Sequence, residues 1–269
     1  MKNILDVNDL RKTILRMAFK GSTVHIACSL SIVEILAVIY RSHLNYDVKK
    51  IDDPTRDYLI LSKGHGVMAQ YACLRELGLI IKKDIENYFG DGTMLKGLSD
   101  SRVPGLEVCS GTLGHGLSVA TGLALGAKRN QTHQKIFAVV GDGELNEGPC
   151  WEAIMFAGHH KLENLMIIVD KNNFQALAET KEIINQENLS KSIESFGFEV
   201  LSVDGHDEQE LDTAIENLFQ SDTLKPKAIV ANTKKGYGIS FMEDSNEWHY
   251  KRLDDETYQA ALKELELKK

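Results

Sequence analysis

An α/β fold with a doubly wound, mainly parallel sheet and helices on both faces is predicted by three observations. Five short apolar runs are continuous rather than alternating, which suits strands buried on both sides. Helical patterns lie between them. Residues with ligand chemistry stand directly after two of the runs, at the strand ends where such sheets bind their ligands.

The elements follow in chain order. Leu10, Ile14, Leu15, Met17 and Ala18 recur at helical spacing, and a second apolar face runs through Leu30, Ile32, Val33, Ile35, Leu36 and Ile39. The N-terminal third is therefore predicted to be helical. Strands are predicted at 58–61, 136–140, 165–169, 200–203 and 228–231, with helices notably at 151–162 and 209–219. Residues 90–116 are glycine-rich and weakly periodic, as in a long functional loop. The segment 254–269 has the pattern of a terminal amphipathic helix. Only four prolines and no long polar linker interrupt the chain, so residues 1–269 are expected to form one domain.

Composition narrows the function. With 31 basic and 39 acidic residues the net charge is −8, which argues against nucleic acid or an anionic membrane surface as a partner. Small anions remain open, because a metal or backbone amides can hold them without a basic face. The first twenty residues are charged throughout, without a secretory apolar region. The apolar stretch 32–40 contains Glu34 and is too short for a bilayer. Cys28, Cys73, Cys109 and Cys150 show no metal or redox spacing, so reduced thiols in a cytoplasmic protein are expected.

The chemistry concentrates after two strands. Residues 136–140 lead into Gly141-Asp142-Gly143-Glu144, and 165–169 into Asp170-Lys171-Asn172-Asn173-Phe174. Glycines flanking an aspartate let the backbone approach an anion while presenting one carboxylate. If the two strands are neighbours, Asp142 and Asn172 meet at one sheet edge. A carboxylate, an amide oxygen and a loop carbonyl form an all-oxygen set suited to Mg2+ or Ca2+, which would share substrate phosphates. Either segment alone is ordinary turn chemistry, but the pair, with one helix between, points to a metal-diphosphate site. Neither a P-loop, nor dinucleotide-type glycine spacing at 111–116, nor EF-hand ligand spacing is present.

These residues resemble the fingerprint of thiamine-diphosphate enzymes, and their surroundings resemble the diphosphate-binding half of transketolases. Ser62-Lys63-Gly64-His65-Gly66 is similar to that family's Ser-x-Gly-His segment, and Gly111-Thr112-Leu113-Gly114-His115-Gly116-Leu117-Ser118 to its Gly-x-Leu-Gly-Gln-Gly-Leu-Ser stretch. Trp151-Glu152-Ala153, Val203-Asp204-Gly205-His206-Asp207 and Thr233-Lys234-Lys235-Gly236-Tyr237-Gly238 also match, in order along nearly the whole chain. The resemblance implies thiamine diphosphate with Mg2+ or Ca2+ held by Asp142, Asn172 and the Phe174 carbonyl. It implies His65 and Gly143 at the diphosphate and Gly111 and Leu113 against the aminopyrimidine and thiazolium. Thr112 and Glu144 fall in the same cofactor segments. Glu147 would join the two active sites of a dimer, while His25 and His249 would face cofactor and substrate. Ketol transfer needs a donor for an alkoxide and a base for a neighbouring hydroxyl, and His25, His65 and His249 can serve in both directions.

Two departures and one omission qualify what is implied. The family's Gly-His-Pro segment corresponds to Gly97-Leu98-Ser99, and Tyr250 stands where glycine follows the late histidine. His115 replaces the usual glutamine and is expected to fill its loop rather than reach substrate. A non-standard ketose or acceptor is therefore expected. The family's activating glutamate belongs to a separate pyrimidine-binding domain, and nothing after Asp254 resembles it. The chain thus resembles the N-terminal subunit of a split transketolase, paired with a C-terminal pyrimidine-binding subunit in a heterotetramer. The rival readings are a subunit that works on a 2-oxoacid, deoxyxylulose-phosphate-synthase-like or ketoacid-dehydrogenase-like, and a non-catalytic scaffold.

Overall fold

The computed structural model describes residues 5–267. The first four residues and the last two, which the one-domain expectation and the terminal helix include, lie outside the described residues.

The chain opens with helices α1 (Val7–Lys20), α2 (Ile26–Leu30) and α3 (Val33–Val38), the last running into a π-turn at Ile39–His43. Asp6 caps α1 by accepting from the Asn8 and Asp9 amides, both at 3.0 Å. The apolar face spanning Leu30 to Ile39 is broken because Ser31 turns away from the helical ladder. Its hydroxyl donates to Asp170 at 2.8 Å.

Strand β1 (Tyr58–Leu61) is followed by α4 (Val67–Glu76), α5 (Lys82–Glu86) and a long irregular segment, then by α6 (His115–Arg129). The rest alternates: β2 (Ile136–Gly141), α7 (Gly148–His159), β3 (Leu165–Lys171), α8 (Thr180–Ile183), α9 (Leu189–Ser195), β4 (Glu199–Asp204), α10 (Glu208–Gln220), β5 (Lys227–Asn232) and α11 (Asp255–Leu267). Each predicted strand is present. Helix α7 begins earlier than predicted because Pro149 is tolerated in a first helical turn.

The five strands are all parallel, in the order β1-β2-β3-β5-β4. The chain steps one way from β1 to β4 and returns to insert β5 between β3 and β4. Right-handed crossovers then place α6, α7 and α9 on one face and α10 on the other. The core agrees. Ile136, Ala138 and Val140 pack with α6, α7 and α9, whereas Phe137 and Val139 pack with the N-terminal helices and α10. Strands β2 and β3 are therefore covered on both faces, which explains their unbroken apolar sequence. Among the described residues no helix is long and apolar enough to cross a membrane.

Candidate active site

A cavity of about 450 Å³ opens at the carboxyl ends of β1, β2 and β3. Its lining includes nearly every residue expected there: His25, His65, Gly111, Leu113, Asp142, Gly143, Glu144, Glu147, Asn172, Phe174 and His249. Thr112 is exposed and stands outside the lining, so its side chain offers the cavity nothing. His115, also exposed, lies 3.2 Å from the Leu113 carbonyl and fills its loop.

The register Gly141↔Asp170 sets Asp142 beside the end of β3, and the Asp142 amide donates to the Asp170 carbonyl at 3.1 Å. The Asp142 carboxylate accepts from the Gly143 amide at 2.8 Å and the Asn173 amide at 2.6 Å. Asn173 adopts φ +64, a left-handed turn that asparagine tolerates. Asn172 donates to Asp170 at 2.9 Å, and its amide oxygen accepts from Phe174 N–H at 3.0 Å. Burial, then the neighbouring Asp170 charge, pushes the Asp142 carboxyl up to about 7. A buried carboxylate held so unfavourably suits a cation, and the donor set is hard oxygen. Among the described residues no three His, Cys, Asp or Glu side chains converge as a metal cluster. A divalent ion here would rest on this mixed set together with phosphate oxygens.

Asp170 is spent internally. Lys63 forms a salt bridge with it, Thr233 donates to its other oxygen, and Ser31 adds a third donor at 2.8 Å. Burial opposes its ionisation, but Lys63 outweighs that and holds the carboxyl below its ordinary value. Glu144 is likewise a strut rather than a cofactor ligand. It accepts from Ser62 at 2.5 Å, from the Gly114 amide at 2.9 Å and from the Gly141 amide at 3.1 Å. These bonds lock together the ends of β1 and β2 and the start of α6. Gly116 permits that approach, since a Cβ there would lie 2.7 Å from Ser62 Cα. Glu147, at the N-terminus of α7, is exposed at the rim.

The three expected histidines converge. Ring centres lie 5.4 Å apart for His25 and His65, 5.0 Å for His25 and His249, and 5.9 Å for His65 and His249. The His25 amide donates to the His249 carbonyl at 2.9 Å, and His25 holds a left-handed φ of +67. Burial, assisted by Lys63 and Lys235, lowers all three basicities: His25 moderately, His65 strongly, and His249 to about 3. All three are therefore neutral imidazoles at physiological pH.

Lys235 decides which His249 nitrogen carries the proton. Its buried ammonium reaches the Gln175 carbonyl at 3.0 Å, Asn246 Oδ1 at 2.7 Å and His249 Nδ1 at 3.1 Å. An ammonium has three donors and no acceptor, so Nδ1 accepts and the neutral ring keeps its hydrogen on Nε2. Leu98 and Tyr250 complete the wall; the Tyr250 ring lies 4.6 Å from His249, and a Cβ on Gly111 would meet Leu98 at 2.8 Å.

Lys63, Lys235 and Asp170 carry roles that the motifs along the chain do not assign. The available signal is an unpaired charge directly after each of three buried strands. His206 is a different case. It stacks on Tyr237, lies 3.1 Å from Glu34 and accepts from the Lys234 amide at 2.8 Å. Glu34 also pairs with buried Arg11, so this network braces the Thr233–Gly238 loop from behind.

Residues 6–268 match a family model described as transketolase, thiamine diphosphate binding domain. One of the two subunits of an apulose-4-phosphate transketolase, from Actinobacillus succinogenes, is 41% identical over 95% of this chain and 92% of its own length. A 6-deoxy-6-sulfo-D-fructose transketolase subunit from Clostridium sp. is 38% identical over 96% and 94%. Among solved structures, the transketolase of Campylobacter jejuni superimposes with a TM-score of 0.90 at 31% identity, covering 99% of this chain and 43% of that one. The chain thus matches subunit-sized relatives nearly end to end and spans less than half of this full-length transketolase.

Proposed function

This chain belongs to the transketolase family, in the part that binds thiamine diphosphate, and we propose that it is one subunit of a split enzyme transferring a two-carbon ketol unit from a ketose to an aldose. The observation that carries the reading is the single cavity joining Asp142 and Asn172 to three neutral histidines. In this reading residues 1–269 act as one diphosphate-binding domain. Its partner is a pyrimidine-binding subunit, two of each forming a heterotetramer in the cytoplasm. Four unpaired cysteines fit that compartment.

Asp142, Asn172 and the Phe174 carbonyl would hold Mg2+ or Ca2+, and Gly143 with His65 would receive the diphosphate. Gly111 and Leu113 would lie along the rings. When bound, thiamine diphosphate supplies the nucleophilic carbon that accepts the ketol unit. The chain's own residues manage protons and position. His249 presents Nε2–H as a donor to a substrate oxygen, its tautomer fixed by Lys235. Neutral His25, 5.0 Å away between ring centres, is available to take a proton from a neighbouring hydroxyl. Lys63 stays paired with Asp170, so its charge lowers the basicity of the imidazoles without contacting substrate.

Leu98 and Tyr250 line the cavity where the resemblance implies a histidine and a glycine, which supports a donor other than the common pentose phosphates. Relatives named for a branched sugar phosphate and a sulfonated sugar support the same inference. The test is reconstitution. The chain with thiamine diphosphate and Mg2+ should show no turnover until a pyrimidine-binding transketolase subunit is added. Robust ketol transfer by the chain alone would contradict the proposal.

A further inference from the structure

A second cavity, of about 420 Å³, lies beside the first and shares two of its walls, His25 and Leu98. Its other surfaces are chemically distinct. Tyr88 and Phe89 make an aromatic side, and Lys96 and Arg252 supply two cations. No carboxylate is among its lining residues, although the chain has a net charge of −8 and three carboxylates line the first cavity.

This second recess is built rather than incidental. Phe89 keeps a left-handed φ of +62 while half exposed, a conformation costly for a bulky residue. Its amide donates to the Leu95 carbonyl at 3.1 Å, and its ring is seated against Gly97, where a Cβ would meet it at 3.0 Å. Arg252 is tied to the Ser22 carbonyl through Nε at 2.7 Å, which fixes the guanidinium beside the recess. Lys96 reaches the Gly90 carbonyl at 3.4 Å from the other side.

We propose that this recess is a substrate subsite for the part of the sugar remote from the reacting carbon–carbon bond, ending in a tetrahedral oxyanion. The inference rests on the ketol-transfer reading, which places the reacting carbons beside His25. Beyond that histidine a sugar's carbon chain would run along the aromatic wall, and its phosphate or sulfonate would meet Lys96 and Arg252. Either oxyanion offers three acceptor oxygens to these cations.

The test uses the full chain with Mg2+ and thiamine diphosphate, and separately without them. The probes are sn-glycerol 3-phosphate, 2,3-dihydroxypropane-1-sulfonate and uncharged glycerol, read by amide shifts of Gly97 and Leu98 and by calorimetry. An oxyanion probe should shift both amides. Its affinity should fall about tenfold in Lys96→Ala and in Arg252→Ala, and recover in Lys96→Arg. Glycerol should produce no shift at the same concentration. The better of the two charged probes identifies the physiological oxyanion. Equal binding of glycerol, unchanged affinity in both alanine variants, or no binding of either oxyanion would overturn the subsite. The heat of cofactor binding, measured on the same samples, reports separately on the ketol-transfer reading. Its loss with oxyanion binding intact overturns that reading and leaves the recess as an oxyanion site.

Discussion

Asp170 and Asp142 sit at adjacent strand ends, both buried, yet their surroundings drive them in opposite directions. Asp170 receives an ammonium, two hydroxyls and an amide, and is held below its ordinary pKa. Asp142 receives two backbone amides and is pushed up to about 7 by burial and by Asp170 itself. A fully partnered buried carboxylate is part of the frame. One left short of positive charge beside a cavity has a place for a cation.

The comparison can be broken most forcefully by neutralising each member. Asp170→Asn would leave Lys63 buried without its counter-charge and should destabilise the chain by about 3–5 kcal/mol. Asp142→Asn removes a charge that folding disfavours, so stability without metal should stay within about 1 kcal/mol of the parent, or rise. Denaturant unfolding of both variants checks this; equal losses would erase the distinction between frame and site.

Glu144→Gln probes a third strand-end carboxylate, which resembles Asp170 in having its bonds satisfied internally. It should cost about 1–3 kcal/mol, because the new amide nitrogen would face donors from Ser62 and two backbone amides. An unchanged unfolding midpoint would show that these bonds contribute little.

A smaller effect comes from the histidine side of the cavity. Burial, then Lys235, holds His249 at about 3 in the folded chain against an ordinary 6.5. The unfolded chain therefore binds more protons between those values. The contribution is present above pH 6.5 and is lost as pH falls toward 3, at up to about 1.4 kcal/mol per pH unit. Unfolding of His249→Gln measured from pH 7 to pH 4 should show a shallower acid loss than the parent; parallel curves would contradict the burial argument.

Local information explains which features are legible in the sequence. The strands announce themselves because β2 and β3 are covered on both faces, leaving apolar runs with no solvent side. Asp142 and Asn172 are legible because each directly follows such a run. Their convergence needs only that β2 and β3 be neighbours. The Lys63–Asp170 pair is not legible. It depends on β1 lying two strands away from β3, with Lys63 reaching across the floor, and one sequence does not reveal sheet order. Lys235 is hidden for the same reason, since its partners come from three separate segments. The segment 90–116 is legible as a functional loop, but the recess behind Leu98 depends on Phe89 and Arg252, which come together only in space.

The central claim is that this chain's own strand ends hold the diphosphate through a divalent ion. Calorimetric titration of thiamine diphosphate into the full chain, with Mg2+ and then with chelator, tests it most directly. The account predicts saturable binding that requires Mg2+ and weakens about 100-fold or more in Asp142→Asn. Binding that is indifferent to Mg2+, or undiminished in Asp142→Asn, would contradict it.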